Sequence, residues 1–176
     1  MILEKYPDKK IFVFDSRSAG SVLAMYVEKV MEWIEQGIAF KVVVEKLQEY
    51  AKWKHTIFAL ASFGNLVKNG RISKFSGFIA GKLGIWGIGT ASEEGTIVVK
   101  GKTRGNSRII DHFIDDMKEH GFQDDCVVIS HCQNRELACA LREKILKRWA
   151  NAKVKILPTG GLCSYYAERK GLIVGY

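Results

Sequence analysis

Short, continuously apolar runs separated by helix-periodic segments constrain this chain more than any other feature. Ile11-Phe12-Val13-Phe14 ends in Asp15-Ser16, and Thr56-Ile57-Phe58-Ala59-Leu60-Ala61 follows two amphipathic stretches. Runs of this kind read as strands buried on both faces, as in sheets covered by helices. Between them Val22, Leu23, Tyr26, Val27, Val30, Met31 and Ile34 keep helical spacing, with Ser18 or Ser21 placed to cap the start and Gly37 to close the end. Phe40, Val43, Val44, Leu47 and Tyr50 mark a second helix. A strand-helix-helix-strand unit predicts a right-handed parallel crossover. Two parallel strands do not make a sheet with covered edges, so residues 1–65 read as the end of a parallel-sheet first lobe whose sheet is incomplete.

From residue 66 the pattern changes. In Asn69-Gly70-Arg71-Ile72-Ser73-Lys74 the glycine accepts the left-handed backbone that ends helices, and Ser73 is placed to cap the next one. Arg71 is pinned between those signals. Ser73, Ser76, Gly77, Ala80, Gly81 and Gly84 then recur three or four residues apart, a nearly bare stripe if the segment is helical. Close packing against another element is the favoured reading of that stripe, ahead of a ligand. Ile85 to Ala91 and Thr96 to Lys102 form a strand hairpin around Ser92-Glu93-Glu94-Gly95. A helix carrying Ile109, Phe113 and Met117, a strand over 126–130, a helix over 134–150 and strands over 153–157 and 171–176 complete a second α/β lobe, residues 66–176, with a mixed sheet.

Arginine and lysine total 27 against 19 acidic residues, a formal charge of +8, which favours an anionic partner without choosing its class. A basic anion- or nucleic-acid-binding module is therefore a competing reading, although aromatics are not interleaved along a basic face and no helix-turn-helix signature is evident. The four cysteines lie in or beside apolar segments from residue 126 onward, without the paired short spacings of a metal site. Neither a secretion signal nor an apolar run of about 18 residues is present, so a cytoplasmic, reduced protein without a membrane span is expected. The glycines near residue 85 do not form a nucleotide-binding turn. Asp15-Ser16-Arg17-Ser18 stands where open α/β sheets place ligand contacts, though helix capping explains its serines as well. Arg71 and Arg104 each stand at a segment boundary from which a guanidinium could clamp a carboxylate or phosphate. Spacing alone slightly favours two exposed arginines without a ligand.

Taken together, Val13-Phe14-Asp15-Ser16-Arg17-Ser18-Ala19, Asn69-Gly70-Arg71-Ile72-Ser73-Lys74 and Gly101-Lys102-Thr103-Arg104 resemble the DegV family of bacterial fatty-acid-binding proteins, over the whole chain. The resemblance implies the later part of a two-lobed α/β protein that buries a long-chain fatty acid between its lobes. It implies a carrier, not an enzyme, without a cofactor or metal, which presents the carboxylate to an ATP-binding, dihydroxyacetone-kinase-like subunit of bacterial fatty acid kinase. Arg71, Ser73, Arg104, Tyr166 and Ser16 are then expected at the polar end of the ligand, and Phe75, Phe78 and Ile79 near its tail. Tyr166 stands where the family usually has a histidine, so a phenol offers a single hydrogen bond there. A shortened family member that no longer binds lipid is the remaining alternative.

Overall fold

The computed structural model describes residues 2–72 and 84–176. Its centre is a mixed sheet of six strands in the order β3-β2-β1-β6-β4-β5. These are β1 (Thr56–Leu60), β2 (Ile85–Ala91), β3 (Ile97–Arg104), β4 (Cys126–His131), β5 (Lys153–Pro158) and β6 (Leu172–Gly175). Only β4 and β5 pair in parallel, joined through α6 (Arg135–Arg148). Every other pairing is antiparallel. The expected hairpin forms: Gly95, at φ 77°, donates its N–H to the Ser92 carbonyl, and Ser92 donates to Thr96.

Alternation along the strands sends two sets of side chains to opposite faces. Ile57, Ala59, Trp86, Ile88, Val127, Ile129, Leu172 and Val174 meet α6 and α5 (Asn106–Glu119), whose Phe113, Met117, Leu141 and Ile145 are fully buried. On the other face α2 (Ser21–Glu35) and α3 (Phe40–Ala51) lie over Val128. Ser21 does not cap α2. Its Oγ donates into the sheet, 2.8 Å from both Ser130 Oγ and the Ile173 carbonyl, while Gly20 holds the cap position. Farther along that face, the short helices α4 (Gly64–Lys68) and α7 (Gly161–Ala167) flank Phe58 and Leu60. Helix α1 (Ile2–Lys5) precedes all of these.

Two expectations are corrected. Ile11-Phe12-Val13-Phe14 is not a strand: it joins no ladder with the described strands, and Phe12 and Val13 are exposed. Nor is β1 the second strand of a parallel unit, because it pairs antiparallel with both β2 and β6. A continuous apolar run reports burial on both faces and carries no information on direction or partner. The division expected at residues 65 and 66 consequently does not separate two sheets, since β1 and β2 lie on either side of it and are neighbours.

Candidate functional site

The part of the sheet face that α2 and α3 leave uncovered borders a cavity of about 510 Å³. Phe58 and Leu60 of β1, Ile97 of β3 and Ile173 of β6 line it from the sheet. Leu66 of α4 and Leu162, Cys163 and Ala167 of α7 line it from the helices. Its surroundings are thus largely apolar, and the polar groups collect at two ends.

At the first end α4 stops at Asn69-Gly70. Gly70 has φ 64°, and its N–H and that of Arg71 donate to the carbonyls of Val67 and Leu66, a glycine-terminated helix end. Arg71 emerges from that turn, as the sequence predicts. Helix α7 is tied to α4 alongside: Asn65 Nδ2 donates to the Tyr165 carbonyl, Asn69 Nδ2 to the Tyr165 hydroxyl, and the Asn65 backbone N–H to Glu168 Oε1, all between 2.8 and 2.9 Å. Two helices held in this way present Arg71 and Tyr166 together, with Arg71 Nε donating to the Tyr166 hydroxyl oxygen at 3.5 Å. A guanidinium and a phenol on the rim of an apolar cavity suit a ligand with an anionic head and a hydrocarbon tail.

The second end is formed by a strap, residues 15–18, and the hairpin turn. Arg17, at φ 44°, sets its Nε 3.3 Å from Asp15 Oδ2 and donates from its guanidinium to the Glu93 carbonyl at 3.0 Å. Gly95 allows this approach, since a Cβ there would sit 2.8 Å from Arg17 Cα. Glu94 lines the cavity here, and a hydrogen bond from Ser92 Oγ at 2.8 Å holds its carboxyl below the usual range. Ser16 also lines the cavity, but its Oγ is engaged within the strap, donating to the Ser18 carbonyl. Beyond the strap lies a more polar groove of about 750 Å³ bordered by Gln48, Lys52 and His55.

Of the residues expected at the site, Arg71, Tyr166 and Ser16 border this one cavity. They do not converge on one point. Ser16 belongs to the strap, which meets the hairpin turn through Arg17 and Glu93, whereas Arg71 follows α4 and meets Tyr166 of α7. Arg104 is exposed at the end of β3, paired with Ile85, and does not line the cavity. Ser73, Phe75, Phe78 and Ile79 lie outside the described residues. Sequence reading missed α7, which is short and lacks helical periodicity, and with it the stitching that places Tyr166. It also missed Ile97, Ile173 and Gly89, whose parts depend on strand pairing alone.

Comparison with known proteins gives a consistent pattern. Residues 1–175 match a family profile described as "Uncharacterised protein, DegV family". A DegV domain-containing protein of Streptococcus pneumoniae is 41% identical over 174 residues, which are 99% of this chain and 62% of the relative. The crystal structure of the Streptococcus pneumoniae Fatty Acid Kinase (Fak) B3 protein loaded with linoleic acid superposes with a TM-score of 0.94 at 41% identity, over 99% of this chain and 62% of that one. A DegV family protein from Eubacterium eligens loaded with heptadecanoic acid gives a TM-score of 0.94 at 34% identity, over 99% and 63%. The chain therefore spans a little under two thirds of the length of these relatives.

Proposed function

The chain belongs to the DegV family, and on that premise we propose that it binds a long-chain fatty acid along the sheet, head at Arg71 and Tyr166, tail over Phe58, Ile97 and Ile173. The observation that carries this reading is the cavity itself: an apolar floor with a cationic donor and a phenol side by side at one end. Relatives crystallised with linoleic and heptadecanoic acid support it. Burying each methylene is worth about 0.8 kcal/mol, so affinity comes chiefly from the tail while Arg71 fixes the direction in which the acid lies.

In this reading the chain is a carrier and performs no chemistry. It presents the carboxylate to an ATP-dependent fatty acid kinase subunit of the dihydroxyacetone-kinase-like type, which transfers the phosphoryl group. Arg104 and Ser16 are assigned to the polar surroundings of the head and the far rim, and Ser73, Phe75, Phe78 and Ile79 retain the ligand contacts that the family resemblance implies. A cytoplasmic location goes with such a partner; among the described residues no helix is long and apolar enough to cross a membrane.

Native mass spectrometry after mild extraction tests the proposal. A mass increment matching an acyl chain, together with a rise in melting temperature on adding fatty acid, is expected. Ligand-free protein that shows no thermal shift with any fatty acid would refute it.

A further inference from the structure

Phe58 occupies the middle of the cavity floor, two residues from Thr56 and from Leu60, so all three share one face of β1. Its cross-strand partner is Gly89. A Cβ on Gly89 would lie 2.3 Å from Phe58 Cζ and 2.6 Å from Cε2, so the ring rests directly on the glycine backbone. A side chain at 89 would also meet the Val98 carbonyl oxygen at 2.6 Å, so it would lift that ring toward the cavity or part the strands. Phe63 stands 6.3 Å away between ring centroids, and Ile97 and Ile173 pack in the same cluster, which holds the ring from the sides. The height of the floor at mid-cavity is therefore set by two residues, the ring and the side chain that Gly89 lacks.

We propose that Phe58, lowered onto Gly89, is the specificity-determining residue by which this site discriminates bent from straight acyl chains. The inference rests on the carrier reading above. A saturated chain lies straight and needs an even bore. A cis double bond displaces the chain sideways near its middle and needs room there, and the room at mid-cavity is set by how far the Phe58 ring sinks onto Gly89. Relatives of the same fold hold linoleic acid, which is bent, and heptadecanoic acid, which is straight. The fold thus admits both shapes, and the choice between them falls to individual floor residues.

The test measures the affinities of the protein for oleic and stearic acid, which have the same length and differ in one cis bond. Phe58→Leu lowers the floor and is expected to raise the oleic-to-stearic affinity ratio by about fourfold or more, the effect of burying roughly one further methylene. Gly89→Ala lifts the ring and is expected to lower the ratio by a similar factor. Phe58→Met keeps nearly the native volume while replacing the rigid ring with a flexible chain, and it is expected to move the ratio in the same direction as Phe58→Leu if that variant does not fold. A ratio within about twofold of wild type in a folded Phe58 variant, with wild type binding both acids, overturns the role of Phe58 and leaves the carrier reading standing. Wild-type protein that binds neither acid overturns the carrier reading, and this inference with it.

Discussion

Arg71 Nε donates to the Tyr166 hydroxyl at 3.5 Å, across the seam between α4 and α7. At that length the bond is at the limit of what geometry allows, and breaking it costs little. Each group is therefore free to turn toward a third partner while the Asn65, Asn69, Tyr165 and Glu168 contacts keep the two helices in register. In the proposed carrier, the weak bond between them leaves the pair available to an anionic head.

Replacing Arg71 should show this directly. Arg71→Ala is expected to weaken fatty acid binding roughly tenfold to a hundredfold, the range for losing a hydrogen bond to a charged group, and Tyr166→Phe roughly twofold to tenfold. Arg71→Lys keeps the charge without the planar fork and should fall between wild type and alanine. Because Arg71 is exposed, its variants should melt close to wild type without ligand. Isothermal titration with a single fatty acid measures both effects, and unchanged affinity in both variants would remove the pair from the site.

The chain terminus offers a stability prediction away from the cavity. The Tyr176 hydroxyl donates to Asp116 Oδ2 at 2.6 Å and lies 3.0 Å from His120 Nδ1, while the backbone of Tyr176 exchanges two hydrogen bonds with His55. Burial and the neighbouring Asp116 carboxylate push the phenol far above its ordinary pKa, so it remains a donor at all physiological pH values. Tyr176→Phe deprives the carboxylate of that donor and is expected to cost about 1–3 kcal/mol. Urea denaturation measures it, and a loss below about 0.5 kcal/mol would show that the hydrogen bond contributes little.

What could be read from the sequence follows the range of the interactions concerned. The Ser92–Gly95 turn, α5 with Phe113 and Met117, and the helix stop before Arg71 are written in residues a few positions apart, so spacing reveals them. The partners of β1 are not local. Phe58 meets Gly89 and Ile173 across long stretches of chain, and an apolar run cannot specify which strands will flank it. For the same reason Ile11-Phe12-Val13-Phe14 has the composition of a strand yet joins no ladder with the described strands. At the cavity rim, the helix stop that carries Arg71 was legible from local signals, whereas a ligand role for Arg71 and Tyr166 was suggested by family resemblance alone. The cavity floor became visible only once strand order was known.

The pH dependence of stability has a definite sign. His55 is partly buried, its ring 4.2 Å from that of His120, and its pKa is lowered by burial first and then by His120 and Lys54, with Asp116 opposing. His131 is lowered in the same direction by burial and by Arg135. In both cases the unfolded chain binds the proton more readily than the folded one. Their contribution is therefore fully present above the unfolded value of about 6.5 and is lost as pH falls through the depressed folded values. The urea midpoint should drop between about pH 7.5 and pH 5, and His55→Gln should flatten that slope. A slope that is unchanged in the variant would place the titration elsewhere.

Two glycines in adjacent strands separate conformational need from steric need. Neither Gly89 nor Gly101 has a positive φ, so each backbone would accept alanine. A Cβ on Gly101 would meet nothing within 4 Å, whereas one on Gly89 would meet the Phe58 ring at 2.3 Å and the Val98 carbonyl oxygen at 2.6 Å. Gly101→Ala is therefore expected to change stability by no more than about 0.5 kcal/mol. Gly89→Ala must displace the ring or part the strands and is expected to cost about 1–3 kcal/mol, as overpacking does. Thermal melts of the two variants side by side decide the matter: equal melting temperatures would mean that Phe58 moves aside without cost and that the close fit over Gly89 contributes nothing to stability.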